Sequence, residues 1–238
     1  NDEEFKKLCD RDDIDLVFIA TPWKWHVPMA EYAMNAGKHV AVEVPAARTL
    51  EEAWRLVEAS ERTKKHCFML ENCVYDFFES ATINMAIDGV LGDLIHAEGA
   101  YIHKIIQALP KKETWRWEEN NKSGNLYPTH GLGPVSLAMG INRGDSFDYM
   151  TSMSSDDFTW FKNAKRAKEE VPSIPLFDKY RGNINSSLIR TKKGRTIVLQ
   201  HDVSSPRPYD RRHILSGTDG FVQKYPSQTI FLGGKELS

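Results

Sequence analysis

The sequence predicts an α/β protein in two parts: the second half of a doubly wound parallel sheet, then an α+β domain built on a mainly antiparallel sheet. Three observations predict it. Strand-like and helix-like patterns alternate through residues 1–76, as in parallel strands joined by right-handed crossovers. The periodicity changes from about Phe77 onward. The remainder contains alternating runs broken by turn residues, which read as antiparallel strands. The domains are accordingly placed at 1–76 and 77–238.

The chain opens inside a helix running into a strand, and Leu16-Val17-Phe18-Ile19-Ala20 is an apolar run of strand length stopped by Thr21-Pro22. Its continuous hydrophobicity predicts a strand buried on both faces. A helix should follow, with Pro28 in its first turn, Met29, Tyr32, Ala33 and Ala36 on one face, and Gly37 as its stop. Val40-Ala41-Val42 is the second strand. Thr49 and Glu52 form a capping box for a second helix, with Leu50, Ala53, Trp54, Leu56 and Val57 at helical spacing. Cys67-Phe68-Met69-Leu70 is the third strand. Thr21 to His26, Glu43 to Ala46 and Glu71 to Cys73 then fall at the carboxyl ends of the three strands, where such sheets bind ligands.

In the second part a helix ends near Gly89, and Leu94 to His103 reads as a long strand. Asn125 to Asn142 runs into another helix. Ile184 to Arg190 and Thr196 to Val203 flank a turn at Lys192-Lys193-Gly194-Arg195. His213-Ile214-Leu215 and the residues after Gly220 suggest further strands, and the polar stretch from Asp156 to Pro175 is expected to be a loop.

Composition narrows the function. A chain of 238 residues that is 41% hydrophobic can bury a core, and 31 basic against 33 acidic residues leave no basic excess for nucleic acid. Cys9, Cys67 and Cys73 have neither metal-site nor disulfide-framework spacing. No apolar run is long enough to cross a bilayer. The G-x-G-x-x-G turn that opens a dinucleotide-binding fold is absent; Gly131-Leu132-Gly133 follows no strand run and is broken by Pro134. A nucleotide domain here would be a second half, so truncation at both ends is expected, and the chain alone is expected to bind a dinucleotide poorly and to be inactive.

Three strand-end segments carry a resemblance: Ala20-Thr21-Pro22-Trp23-Lys24-Trp25-His26, Val42-Glu43-Val44-Pro45-Ala46 and Glu71-Asn72. Together they resemble the second half of the Rossmann-type cofactor domain of the Gfo/Idh/MocA superfamily. Glu98-Gly99-Ala100-Tyr101-Ile102-His103, the run from Gly124 to Pro134 and Pro206-Arg207-Pro208-Tyr209 narrow the resemblance to glycoside hydrolase family 109, the NAD-dependent α-N-acetylgalactosaminidases. Where the dehydrogenases of the superfamily have a catalytic lysine, this chain has Val44.

The resemblance implies NAD as cofactor and a glycan with terminal α-N-acetylgalactosamine as substrate. Hydride leaves carbon 3 of the sugar, a base takes the acidified proton from carbon 2, the aglycone leaves from carbon 1, water adds, and hydride returns. It implies catalytic roles for His130, Tyr209, Tyr127, Glu71 and His103. Substrate would be bound by Tyr101, Arg116, Tyr127, Pro128, Thr129, His130 and Tyr209, and cofactor by Trp23, Lys24, Trp25, His26, Glu43, Val44, Asn72 and Tyr127. No metal, nucleic-acid or membrane-spanning role is expected.

The residues themselves are compatible with these roles. Tyr101 and His103 lie two apart on a strand and so share a face. Histidine titrates near neutrality, which suits His130 to exchange a proton with a sugar hydroxyl. Arg207, Arg211 and Arg212 surround Tyr209, and positive charge lowers a phenol's pKa. Bland readings stand beside these: hydrogen-bonded structural side chains, a solvated basic loop, and an arginine stacked on indoles in Trp115-Arg116-Trp117. Two other functions fit as alternatives, an NAD(P)-dependent sugar dehydrogenase of the same superfamily and a non-catalytic sugar- or nucleotide-binding relative. Export to the periplasm and assembly into a homo-oligomer are both compatible with the sequence.

Overall fold

The computed structural model describes residues 3–106 and 114–237. The chain divides into two compact units, Asn1–Glu71 and Asn72–Ser238.

The first unit runs helix α1 (Glu4–Cys9), strand β1 (Leu16–Ile19), a 3-10 turn at Trp23–Trp25, α2 (His26–Asn35), β2 (His39–Glu43), α3 (Leu50–Thr63) and β3 (Cys67–Leu70). Asn1 and Asp2, where the opening helix was expected to begin, lie outside the described residues. The strands form one parallel sheet in the order β1-β2-β3, with Val17 opposite Val40 and Val40 opposite Cys67. Leu16, Val40 and Phe68 thus share a sheet, as the pattern predicts.

Helices α2 and α3 bury Ile19, Val42, Ala30, Met34, Leu56 and Ala59 in a common core. The expectation that the first strand is buried on both faces is corrected. Leu16, Phe18 and Phe68 on the opposite face are 51%, 61% and 48% exposed, because the unit's helices pack on the Ile19 side alone. The inward face of α2 is also displaced: Val27, Ala30, Ala33 and Met34 are buried, whereas Met29, Tyr32 and Ala36 only border the core. In α3 the residues fully inside are Leu56 and Ala59, leaving Leu50, Trp54 and Val57 exposed. The capping box is partly realised. Thr49 Oγ1 accepts from the Glu52 N–H at 3.1 Å, but the Glu52 carboxylate turns to the Arg48 N–H at 2.7 Å and to its guanidinium.

The second unit opens with a 3-10 turn at Asn72–Tyr75 and a helix at Phe77–Ile87. Strand β4 (Leu94–Ile102) is followed by helices Thr114–Glu119 and Thr129–Ala138, β5 (Phe147–Ser154) and a helix at Trp160–Glu170. Strands β6 (Ile184–Thr191), β7 (Thr196–Asp202), β8 (His213–Gly217), β9 (Gly220–Gln223), β10 (Thr229–Leu232) and β11 (Lys235–Leu237) complete it. One sheet of eight strands results, in the order β11-β10-β9-β8-β4-β7-β6-β5. Every neighbouring pair is antiparallel except β4 and β7, where Tyr101 lies opposite His201.

The Phe77–Ile87 and Thr129–Ala138 helices pack on one face of this sheet through Phe78, Ile83, Val135, Ala138, Ala97, Ile189, Ile197 and Leu215. Strand β4 and the Thr129–Ala138 helix approach closely at two glycines. A Cβ on Gly99 would stand 2.4 Å from the Gly131 carbonyl oxygen, and one on Gly131 would stand 2.6 Å from the Ala100 nitrogen. Contact this close is open only to residues without a Cβ.

The expectation of a loop from Asp156 to Pro175 is also corrected. It contains the Trp160–Glu170 helix, whose first N–H groups at Trp160 and Phe161 are accepted by the Asp157 carboxylate at 2.6 and 3.1 Å. Only Trp160 and Ala164 of this helix are buried, so its polar composition reflects a solvated face. Trp160 packs against Trp117, with ring centroids 5.5 Å apart, in a second core that includes Ile174 and Tyr180.

Candidate functional site

Strand β4 places Tyr101 and His103 at its carboxyl end, on the side that faces the Thr129–Ala138 helix. The Gly99 to Gly131 contact draws the start of that helix onto β4, bringing Tyr127 and His130 to Tyr101. Tyr101 is the hub. Its ring centroid lies 5.1 Å from Tyr127, 5.2 Å from His130 and 6.1 Å from His201, and its hydroxyl is 3.1 Å from His103 Nδ1. Tyr127 and His130 meet edge to face at 4.7 Å, and His103 meets Tyr209 edge to face at 4.9 Å. Five predicted residues, Tyr101, His103, Tyr127, His130 and Tyr209, therefore form one connected group from three distant stretches of sequence.

The electrostatics of the group are uneven. Burial pushes the Tyr101 phenol up to about 12, against a smaller opposing pull from Arg116, so Tyr101 is a neutral hydroxyl at physiological pH. Burial lowers His103, which favours its neutral, proton-accepting form. At Tyr209, which is 44% exposed, burial raises the phenol and Arg211 opposes it. The expectation that surrounding arginines bring this phenol down is corrected in sum, because the burial effect is the larger. Arg212 is engaged with Glu98 and Asp210 at 3.1 and 3.0 Å. Arg116 lies over the Trp115 ring at 4.9 Å. Pro128 precedes the first residue of the Thr129–Ala138 helix, and the Thr129 hydroxyl is buried there without a hydrogen-bond partner among the described residues.

Sequence reasoning missed what lies under Tyr101. His201 of β7 is fully buried and stacks on Tyr101, and Arg181 Nη2 donates to its Nδ1 at 2.9 Å. Arg181 is buried too, donating to the carbonyls of Asn120 and Gly124. The alternation on β7, with Ile197, Leu199 and His201 inward, was the available signal.

The predicted cofactor residues other than Tyr127 and Asn72 belong to the first unit. His26 Nδ1 is 2.8 Å from the Pro45 carbonyl oxygen and Nε2 is 2.8 Å from that of Thr21, so His26 ties the loop after β1 to the loop after β2. Trp23 and Val44 are buried, and Trp25 packs toward Phe5 at 6.5 Å. Lys24 and Glu43 are exposed at the strand ends, and Glu71 is buried just after β3. Asn72, the first residue of the second unit, is exposed. Two cross-braced strand-end loops with exposed polar side chains above buried apolar ones fit a dinucleotide.

A parallel sheet with these strand ends, followed by an open antiparallel sheet, is the architecture of NAD-dependent oxidoreductases. Residues 2–71 match the model described as "Oxidoreductase family, NAD-binding Rossmann fold", and residues 75–237 match "Glycosyl hydrolase 109, C-terminal domain". The chain belongs to glycosyl hydrolase family 109, and NAD is the cofactor of its nucleotide-binding fold. A glycosyl hydrolase family 109 protein of Porphyromonas gingivalis is 49% identical over 98% of this chain and 49% of its own length. The chain thus spans about half the length of the curated relatives it matches. Among solved structures, an NAD binding oxidoreductase from Klebsiella pneumoniae is 18% identical with a TM-score of 0.76, covering 98% of this chain and 60% of that one. An inositol dehydrogenase homolog from Azotobacter vinelandii, complexed with NAD+, is 18% identical with a TM-score of 0.72, covering 99% and 60%. These likenesses concern the fold.

Proposed function

We propose that this chain carries the substrate-handling part of an enzyme that hydrolyses terminal α-N-acetylgalactosamine by NAD+-dependent oxidation, elimination, addition and reduction. One observation carries the reading: the group around Tyr101 is made of phenols and imidazoles. Three carboxylates of the second unit are engaged elsewhere, Asp210 with Arg212, Asp76 with Arg211 and Lys224, and Asp202 with the N–H groups of Ser204 and Ser205. None of these three is placed as one of a pair of carboxylates flanking a glycosidic bond. Proton transfer by tyrosine and histidine is what the group can offer.

When bound, NAD supplies the acceptor and later the donor of hydride at carbon 3. Lys24 and Glu43 are the exposed side chains suited to hold its polar groups, and Val44, buried at the end of β2, has no proton to exchange. His130 takes the proton of the carbon 3 hydroxyl as that carbon is oxidised, and returns it at the end. Tyr209 removes the proton from carbon 2, and the neutral His103 edge-on to it is placed to pass that proton on. Tyr101 and Tyr127 donate hydrogen bonds to the sugar, and Arg116 binds its hydroxyls or acetamide.

The test uses protein of the relatives' full length containing this chain. It should cleave 4-nitrophenyl α-N-acetylgalactosaminide without net NADH, and solvent deuterium should enter carbon 2 of the product. Cleavage with no deuterium there eliminates the redox route. Steady NADH accumulation without sugar release would assign the chain to the sugar dehydrogenases instead.

A further inference from the structure

We propose that Arg211 is a positioning residue: a ladder of alternating charges, Glu79, Lys224, Asp76, Arg211, holds its guanidinium against Tyr209, where its positive charge favours the phenolate over the phenol. The proposal rests on the reading of Tyr209 as the base at carbon 2. Lys224 Nζ donates to both Glu79 oxygens at 2.8 and 2.6 Å and lies 3.0 Å from Asp76 Oδ1. Arg211 Nη2 is 3.5 Å from Asp76 Oδ2, and its Nη1 donates to Cys73 Sγ at 3.0 Å. The guanidinium carbon is 5.8 Å from the Tyr209 ring centroid.

The ladder is neutral as a whole, two cations against two anions, so its effect on Tyr209 depends on which charge stands nearest. That charge is Arg211. Glu79 and Lys224 are buried, which makes the arrangement rigid and poorly screened by water. The ladder also joins separate elements, because Asp76 caps the Phe77–Ile87 helix, Lys224 follows β9 and Arg211 precedes β8. Arg212, the other close candidate, is tied to Glu98 and Asp210.

The groups that face Tyr209 are His103 and Tyr101 from β4, Tyr225 after β9, Cys73 in the Asn72–Tyr75 turn, and Arg211. Of the influences on the phenol, burial, Tyr225 and Cys73 raise its pKa, and Arg211 lowers it. With Arg211 neutralised, the raising influences act unopposed.

The experiment labels tyrosine Cζ with ¹³C in the same full-length protein, assigns the Tyr209 resonance with Tyr209→Phe, and titrates it. Arg211→Gln should raise the Tyr209 midpoint by about one pH unit. Asp76→Asn keeps a side chain that caps the helix but strips Arg211 and Lys224 of a counter-charge, so the midpoint should fall. A purely structural role would move both variants in the same direction. The alkaline rise of deuterium exchange at carbon 2 should follow each midpoint, with KM little changed. Should Arg211→Gln not fold, the Asp76→Asn titration decides the question. A Tyr209 midpoint that stays put, or moves upward in Asp76→Asn, overturns the role of Arg211 and leaves the proposed function standing. Wild-type cleavage without exchange at carbon 2 overturns the function, and this inference with it.

Discussion

Gly131→Ala tests whether the approach of the Thr129–Ala138 helix to β4 builds the site. The new Cβ would stand 2.6 Å from Ala100 N, 2.8 Å from Gly99 C and 2.9 Å from Leu199 Cδ1. Non-bonded heavy atoms sit best at about 3.5–4.0 Å, so the helix must retreat by roughly 1 Å. Two of the three obstacles are backbone atoms of a strand paired on both edges, which cannot turn aside. Overpacking of this kind costs about 1–3 kcal/mol. His130 immediately precedes Gly131, so the shift carries its imidazole, and Tyr127 with it, away from Tyr101. A displacement near 1 Å can lower a rate about a hundredfold. The prediction is a lower melting temperature together with a much larger fall in kcat than one lost methyl contact would bring. Gly131→Ala protein with wild-type melting and turnover would refute the claim that this contact positions the site.

Three further outcomes are expected. His130→Ala should lower turnover by roughly a hundredfold to ten-thousandfold if it handles the carbon 3 proton, measured as kcat on the nitrophenyl glycoside with melting temperature as the control. Burial and nearby positive charge bring His201 down to about 3 and His213 down to about 4. The unfolded chain binds more protons than the folded one between about pH 6.5 and these values, so stability is full above pH 6.5 and is lost as pH falls. Chemical denaturation at pH 7, 5 and 4 should show the decline, and His213→Phe should flatten part of it. Asp157→Ala removes the acceptor for the N–H groups of Thr159, Trp160 and Phe161, and should cost about 1–2 kcal/mol by urea titration.

The fold was legible where one face of an element met a core within its own stretch of chain. The three parallel strands, the turn at Gly194 and the long β4 follow from runs of apolar residues and from glycines with positive φ. The Trp160–Glu170 helix escaped because its inward side is reduced to Trp160 and Ala164, too few to set a period against seven charged or amide side chains in an eleven-residue span. The exposure of Leu16, Phe18 and Phe68 could not be read either, since an apolar run states that a strand is greasy without saying how many of its faces have partners. At the site, spacing on β4 placed Tyr101 beside His103, and the motif residues pointed to Tyr127, His130 and Tyr209. Their mutual contact across more than a hundred residues is a product of strand order, which no local pattern contains. The same holds for the charge ladder, whose members are scattered from Asp76 to Lys224.

The least legible part of the site is the support beneath it, and it explains how the hub stays fixed while its neighbours change charge. A guanidinium has donors and no acceptor, so Arg181 obliges His201 Nδ1 to accept, which leaves the proton on Nε2. Protonating Nδ1 would put two donors face to face and a second cation beside Arg181, which agrees with the low value at His201. Arg181 is itself brought down to about 10 by burial, still a cation across the working range of an enzyme. Tyr101 therefore rests on a ring that is neutral through that whole range, and its own phenol, near 12, is neutral as well. A pH profile of the reaction should accordingly carry no step from His201 or Tyr101 within that range, and the frame they form is electrically silent until acid begins to unfold it.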